Sequence, residues 1–502
     1  MGGKPNNQIL VLVDGQPTRM GIFGHPIPDA YPLEEVERVE VLRGPHCLHY
    51  GDSALGGVVN IVTRQLKREE GFSTRVKVGG GEFHSYKAYL ENSGRVGDFS
   101  YFAAVLRRET EGHRPNSAFR GWNGFAKAGC YLSPEWQVVM NGWATDFDVE
   151  DPGPITAPRS EDLRRVTREG GGVTFFHRSG STGGEITLYG EWGKHDFSRV
   201  IDDGWKSRDR TGGVIARHSW DISQSNRVEI GGDIQEMGGS GEDVNTGQDY
   251  GSHYISQGGI YLDDRHEFAR IFTASAGLRL QGQEHTGSRW IPRAGLKCRL
   301  FPETVLHTQV AKGYRAPTVR DYFLFPPSSL DLKPEEDWNY ELGVRQNIGS
   351  LLTVDLTGFY LDADNLIVYK WPEAINSGAV INRGVELGVV FIPEEWWESV
   401  LAYSYLDQNK RIPQTVRNLL EWTNRVYLGR VTLQSTTSLV RGLQFSDREE
   451  DYCVTDLRLG WRPVKEVDFS FKISNIFNES YQTTEGYPLP GRWLWSEASV
   501  KF

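Results

Sequence analysis

From residue 72 to the C-terminus the chain repeats one pattern, segments of strand length whose odd and even positions differ in polarity. At 467–473 the apolar set Val467, Phe469, Phe471 and Ile473 falls on one face, and Asp468, Ser470 and Lys472 on the other. Thr455, Leu457, Leu459 and Trp461 oppose Asp456, Arg458 and Gly460, and Leu352, Val354, Leu356 and Tyr360 oppose Thr353, Asp355 and Thr357. Any one of these is an ordinary half-buried strand of a soluble sheet. Their succession is more restrictive. Short turn-forming gaps, such as 93–97, 133–134, 264–267 and 349–350, alternate with longer polar gaps at 109–121, 148–168, 197–208, 238–249, 315–337, 409–423 and 478–490. Tight turns at one rim and extended loops at the other are what an up-and-down barrel requires, and the segments number about 22, an even count. A sandwich or a propeller also fits the spacing, but the chain carries no internal repeat of the kind that builds blades. The expected fold is all-β, a transmembrane antiparallel β-barrel of about 22 strands.

Composition agrees with that expectation. No segment approaches the long uncharged apolar run of a spanning helix, which excludes helical membrane proteins. The negative mean hydropathy of −0.47 does not exclude a barrel, whose lipid-facing and lumen-facing residues average out. Net charge is −11 with both signs mixed throughout, so nothing points to nucleic acid. Cys47, Cys130, Cys298 and Cys453 lack zinc-site spacing. The set His46, Cys47 and His49 offers soft ligands, but neighbours on an extended chain point apart, and ordinary turn packing is the rival. No GxSxG or HExxH occurs, so no hydrolytic motif is present and no enzyme is expected.

The stretch 36–63, VERVEVLRGPHCLHYGDSALGGVVNIVT, follows VLVDGQP at 11–17. Together they resemble the second half of the plug domain of TonB-dependent outer-membrane receptors, whose pattern is close to VLVDG, ERVEVLRGP and YGxxAxGGVVNIVT. The resemblance continues at KGYRAPT (312–318), LKPEE (332–336), NYELG (339–343), SNIFNESY (474–481) and GYPLPGR (486–492), and in a terminal strand ending at Phe502. It implies a partial N-terminal plug, the C-terminal half of that domain, over residues 1–68 inside a transmembrane β-barrel over 69–502, in the outer membrane of a Gram-negative bacterium. It also implies energised uptake of a metal-chelate small molecule, a ferric siderophore or cobalamin, without a required cofactor. Haem stands behind these, because no histidine lies between Arg315 and Glu335. The implied partners are outer-membrane lipid, the chelate and the TonB-ExbB-ExbD energy complex, with the receptor itself a monomer. In the family another plug half, a TonB box and an export signal precede VLVDG, so a late start at Met1 is expected. The alternative is a passive leaky pore or a non-functional remnant.

Several residues stand out as candidates. Tyr340, Leu342 and Val344 put Glu341 on the lumen face, and Val385, Leu387 and Val389 do the same for Glu386. Carboxylates against a plug need a partner, and the fork of Arg43 matches two of them. The resemblance implies that these three lock plug to wall, with solvated lumen charges as the rival. Residues 16–31 form the candidate apex loop, in which Arg19, Met20, Phe23, His25 and Tyr31 suit an anionic or metal-chelate ligand, or simply pack the plug. Trp143 and Tyr322 are candidates for the vestibule lining, against an interfacial girdle. Asp146, Asp148, Glu150 and Asp151, with Asp202 and Asp203, gather oxygen donors of the kind that hold Ca2+ in external loops, against a solvated acidic loop.

Overall fold

The computed structural model describes residues 8–200, 204–371 and 373–502. Twenty-two antiparallel strands close into a barrel that runs from Gly71–Gly81 to Trp493–Lys501. These two strands pair with each other, Trp495 opposite Gly81 and Lys501 opposite Arg75, so no edge is left open. Closure satisfies every backbone ladder internally, which the hydrocarbon demands. The parity seen in the sequence sets the faces. Phe471 lies opposite Leu459 on the outside and Lys472 opposite Arg458 on the inside. Leu342, Ile234, Ile260 and Leu262 are likewise exposed outward. In water such a surface would aggregate, and in lipid it is the stable face.

The long gaps are shorter than the sequence suggests. Thr182–Arg199 and Trp205–Ser223 occupy most of the 197–208 gap, and Asn226–Asp243 and Gln248–Phe268 most of 238–249. Above the membrane both faces of a strand are wet, so the polarity alternation fades while the hydrogen-bond ladder continues. Residues 316–334 instead turn inward. Their short helix Val319–Phe323 starts at a capping box, in which Thr318 and Asp321 satisfy each other's backbone N–H groups.

Inside the barrel stands a four-stranded sheet in the order Gln16–Pro17, Ile9–Val13, Gly57–Thr63, Val36–Arg43. Ile9–Val13 runs parallel to Gly57–Thr63, and the outer pairings are antiparallel. The turn between the last two strands contains a short helix, Cys47–Tyr50. So small a sheet cannot enclose a core of its own. Leu10, Leu12, Cys47, Ala54 and Val58 therefore pack on Ile291, Tyr314 and Ala316 of the wall, and the plug's core is completed by the barrel. Gly44 marks how close the two approach. It has φ of +70°, and a Cβ there would lie 2.5 Å from Glu341 Oε1.

Candidate functional site

The apex loop leaves the sheet after Pro17 and doubles back through a turn in which Gly24 N–H donates to Met20 O and Met20 N–H to His25 O. Its ascending limb is held by the wall. Arg19 N–H donates to Glu191 Oε2 at 3.2 Å and Gly21 N–H to Asp209 Oδ1 at 2.8 Å. Between these carboxylates lies Arg168, which also donates to the carbonyl of Arg19 at 3.3 Å. The side chains of Arg168 and Asp209 are 1% and 0% exposed, and His195 adds a contact to each. Buried charges persist only when paired and hydrogen-bonded, and here the two strands Thr182–Arg199 and Trp205–Ser223 direct both acids at the plug backbone. A Cβ on Gly21 would come within 2.6 Å of the carbonyl of Arg210, so the loop touches the wall main chain to main chain. The Arg19 side chain donates to Asp52 and Ser53 of the plug and to Gln235 of the wall.

Residues 316–334 then cover part of the apex. Arg320 N–H donates to Ile22 O, and Ile22, Val319, Tyr322, Leu324 and Leu332 form one buried cluster with Ile255 of the wall. Arg19, Met20, Tyr31 and Tyr322 are all buried, so a ligand entering from outside does not reach them in this conformation. Tyr31 donates to the carbonyl of Thr18, and Tyr322 to Gln283. Trp143 faces inward but is covered by the plug, packed with Ala30 of the plug and Phe102 and Phe125 of the wall.

Phe23 and His25 are placed differently. Both are half-buried at the turn, with ring centroids 5.6 Å apart. Phe23 meets Trp205 at 5.5 Å and Phe325 at 6.0 Å, and Trp205 meets Phe197 at 4.5 Å. Tyr250 closes the set against Phe325 at 5.0 Å. At the edge of this aromatic basin the guanidinium of Arg164 lies over Phe197. Burial holds the His25 imidazole below its ordinary pKa, with the charge of Arg168 acting in the same direction. The ring is therefore neutral at neutral pH, and its Nδ1 lies 3.0 Å from the carbonyl of Pro26. Aromatic faces, a stacked guanidinium and a neutral imidazole suit a flat ligand whose metal is already enclosed.

Lower down, Arg43 pairs with Glu386 at 2.5 Å. Glu341 instead accepts from Asn339 beside Gly44. A cavity of about 700 Å³ opens here between the strand Val36–Arg43 and the wall, and Arg345 and Asp355 also line it. Around the opposite side the plug is tied by pairs that sequence reasoning missed. Glu34 accepts from Lys77 and Lys87 at 2.8 and 2.7 Å, Lys127 reaches Asp14 at 2.9 Å, and Arg64 pairs with Glu91. Lys77, Lys87, Glu91 and Lys127 all occupy lumen-parity positions, which was the available signal.

Neither metal-like cluster assembles. Asp146, Asp148 and Glu150 alternate onto the outer face of Trp136–Glu150, where Thr167 donates to Asp146, Arg165 to Asp148 and Ala118 N–H to Glu150. Asp151 turns into the loop to meet Arg164 and Gly153 N–H. Period-two alternation thus separates Asp151 from the other three, and Asp202 and Asp203 lie outside the described residues. His46 contacts the carbonyl of Arg43, His49 contacts Asp263, and Cys47 is buried against Tyr314. Among the described residues no group of three metal-binding side chains converges.

Comparison with known proteins matches the family of TonB dependent receptor-like β-barrels over residues 72–476 and the TonB-dependent receptor plug domain over residues 1–58. The vitamin B12 transporter BtuB of Photobacterium profundum is 22% identical, covering 100% of this chain and 85% of that protein. The iron-regulated outer membrane virulence protein of Vibrio cholerae serotype O1 is 25% identical over 100% of this chain and 86% of its own length. Among solved structures, the siderophore receptor PirA from Acinetobacter baumannii superposes with a TM-score of 0.86 at 16% identity, covering 99% of this chain and 91% of that one.

Proposed function

This chain belongs to the TonB-dependent receptor family of Gram-negative outer membranes, and on that premise we propose that it takes up a chelated nutrient, a ferric siderophore or cobalamin, from the aromatic basin over the plug apex. The observation that carries this reading is the conjunction of Phe23, His25, Phe197 and Trp205, with the guanidinium group of Arg164 over Phe197. Aromatic faces bind a large ligand without consuming polar groups. The ligand settles on Phe23 and His25, and the TonB-ExbB-ExbD complex supplies the work that draws the plug away. The apex latch formed by Glu191, Asp209 and Arg168 is what that work must open. Relatives named for vitamin B12 and for siderophores leave both ligand classes in view.

The test uses the full chain in detergent against a panel of ferric siderophores, cobalamin and haem. Saturable binding of one class is expected, weakened about tenfold or more by Phe23→Ala or Trp205→Ala, the usual scale for a buried aromatic anchor. Binding of none of them, together with a steady large conductance in planar bilayers, would replace uptake with a passive pore.

A further inference from the structure

Residues 316–334 carry two neighbouring anchors that differ in kind. Leu324 is 0% exposed within the cluster around Ile22, whereas Phe325 is half-buried at the edge of that cluster and reaches into the aromatic basin. Its ring centroid lies 5.0 Å from that of Tyr250, 5.7 Å from Trp205 and 6.0 Å from Phe23, and it is within 12° of parallel to Phe23. The wall leaves room for it. A Cβ on Gly241 would come within 2.8 Å of Cζ of the ring.

The backbone bends to put the ring there. Phe325 has φ of +53°, in the left-handed region that a bulky side chain avoids. Such a conformation is costly and persists where the surroundings impose it, most often at ligand clamps and switches. Among the described residues the main chain of Phe325 makes no hydrogen bond, so its side chain does the holding. Phe23 and Trp205, two of the rings it touches, are also the rings on which the proposed cargo settles.

We propose that Phe325 is the chain's own occupant of the basin: it stands where a planar ring of the cargo goes, and cargo offering such a ring displaces it. This role rests on the uptake reading above and adds a rule of selection to it. A chelate without a ring cannot replace the contacts that Phe325 gives up, so the occupied basin discriminates in favour of ring-bearing cargo. A binding-competent state that exists only with Phe325 withdrawn lowers the apparent affinity by the fraction of chains in that state. Deleting the ring removes the reduction.

The full chain in detergent is titrated with an iron(III) tris-catecholate, which carries aromatic rings, and with an iron(III) trihydroxamate, which carries none. Phe325→Ala should bind the tris-catecholate about tenfold more tightly than the unaltered chain, the scale of one aromatic pair, and the trihydroxamate no differently. Phe325→Tyr, which keeps the ring, should match the unaltered chain. A residue that only contacts the cargo shows the opposite sign, as is expected of Phe23→Ala. Unchanged or weaker binding of the tris-catecholate by Phe325→Ala overturns the displaceable ring and leaves the uptake reading in place. An equal gain for both complexes overturns it too, because it marks a segment that has merely loosened. Binding of neither complex by any of these chains also overturns it, and removes the uptake reading as well only if cobalamin fails to bind.

Discussion

Two contacts join plug to wall in opposite styles. At the apex, Arg168, Glu191 and Asp209 grip the backbone of Arg19 and Gly21 with side chains almost wholly out of water. Lower down, Arg43 meets Glu386 with its own side chain 65% exposed and its partner's 28%. The second is the contact that motif and parity point to, and the first carries the greater energy. Solvation decides the difference. An ion pair in wet surroundings contributes about 0–1 kcal/mol, whereas removing one member of a buried network strands the remaining charges at a cost of about 3–5 kcal/mol.

Mutation can test this ranking. Arg168→Ala should have the largest effect, leaving Glu191 and Asp209 buried without a cation. Stability should fall by about 3–5 kcal/mol, read as a lower melting temperature with faster hydrogen exchange at the amides of Arg19 and Gly21. Unchanged exchange at those two amides would remove the latch from the account.

Next in size is Glu35, a plug carboxyl 2% exposed whose burial pushes its pKa up to about 7. The folded state then holds this proton more tightly than the unfolded chain, so the stabilising protonated form is complete at low pH and is lost as pH rises towards 7. The plug should weaken by up to about 3 kcal/mol between pH 5 and 8, and Glu35→Gln should flatten the profile. A profile that rises with pH would contradict the burial. The smallest effect belongs to Arg43→Ala, alone or in a double-mutant cycle with Glu386→Ala. A coupling below about 1 kcal/mol is expected, and a value of several would reverse the ranking.

Much of the architecture was legible because a closed cylinder imposes parity at every strand, and parity survives substitution. Glu341 and Glu386 could be placed on the lumen face that way, from their apolar neighbours alone. The apex latch could not. Arg168, Glu191, His195 and Asp209 come from three strands whose upper parts carry polar residues on both faces, so nothing local separates them from ordinary surface charge. Tyr322 stays a candidate for vestibule or girdle in the sequence, because no sequence rule foretells that residues 316–334 fold inward on Ile22. The acidic run at 146–151 suits a cation site or a solvated loop alike, because its composition does not weigh the alternation that sends Asp146, Asp148 and Glu150 outward and Asp151 into the loop.

Because the wall fastens Arg19 and Gly21 by their peptide groups, that latch does not depend on what residues 23–25 display. Recognition at Phe23 and His25 can drift towards a different cargo while the fastening stays intact, provided position 21 remains a glycine.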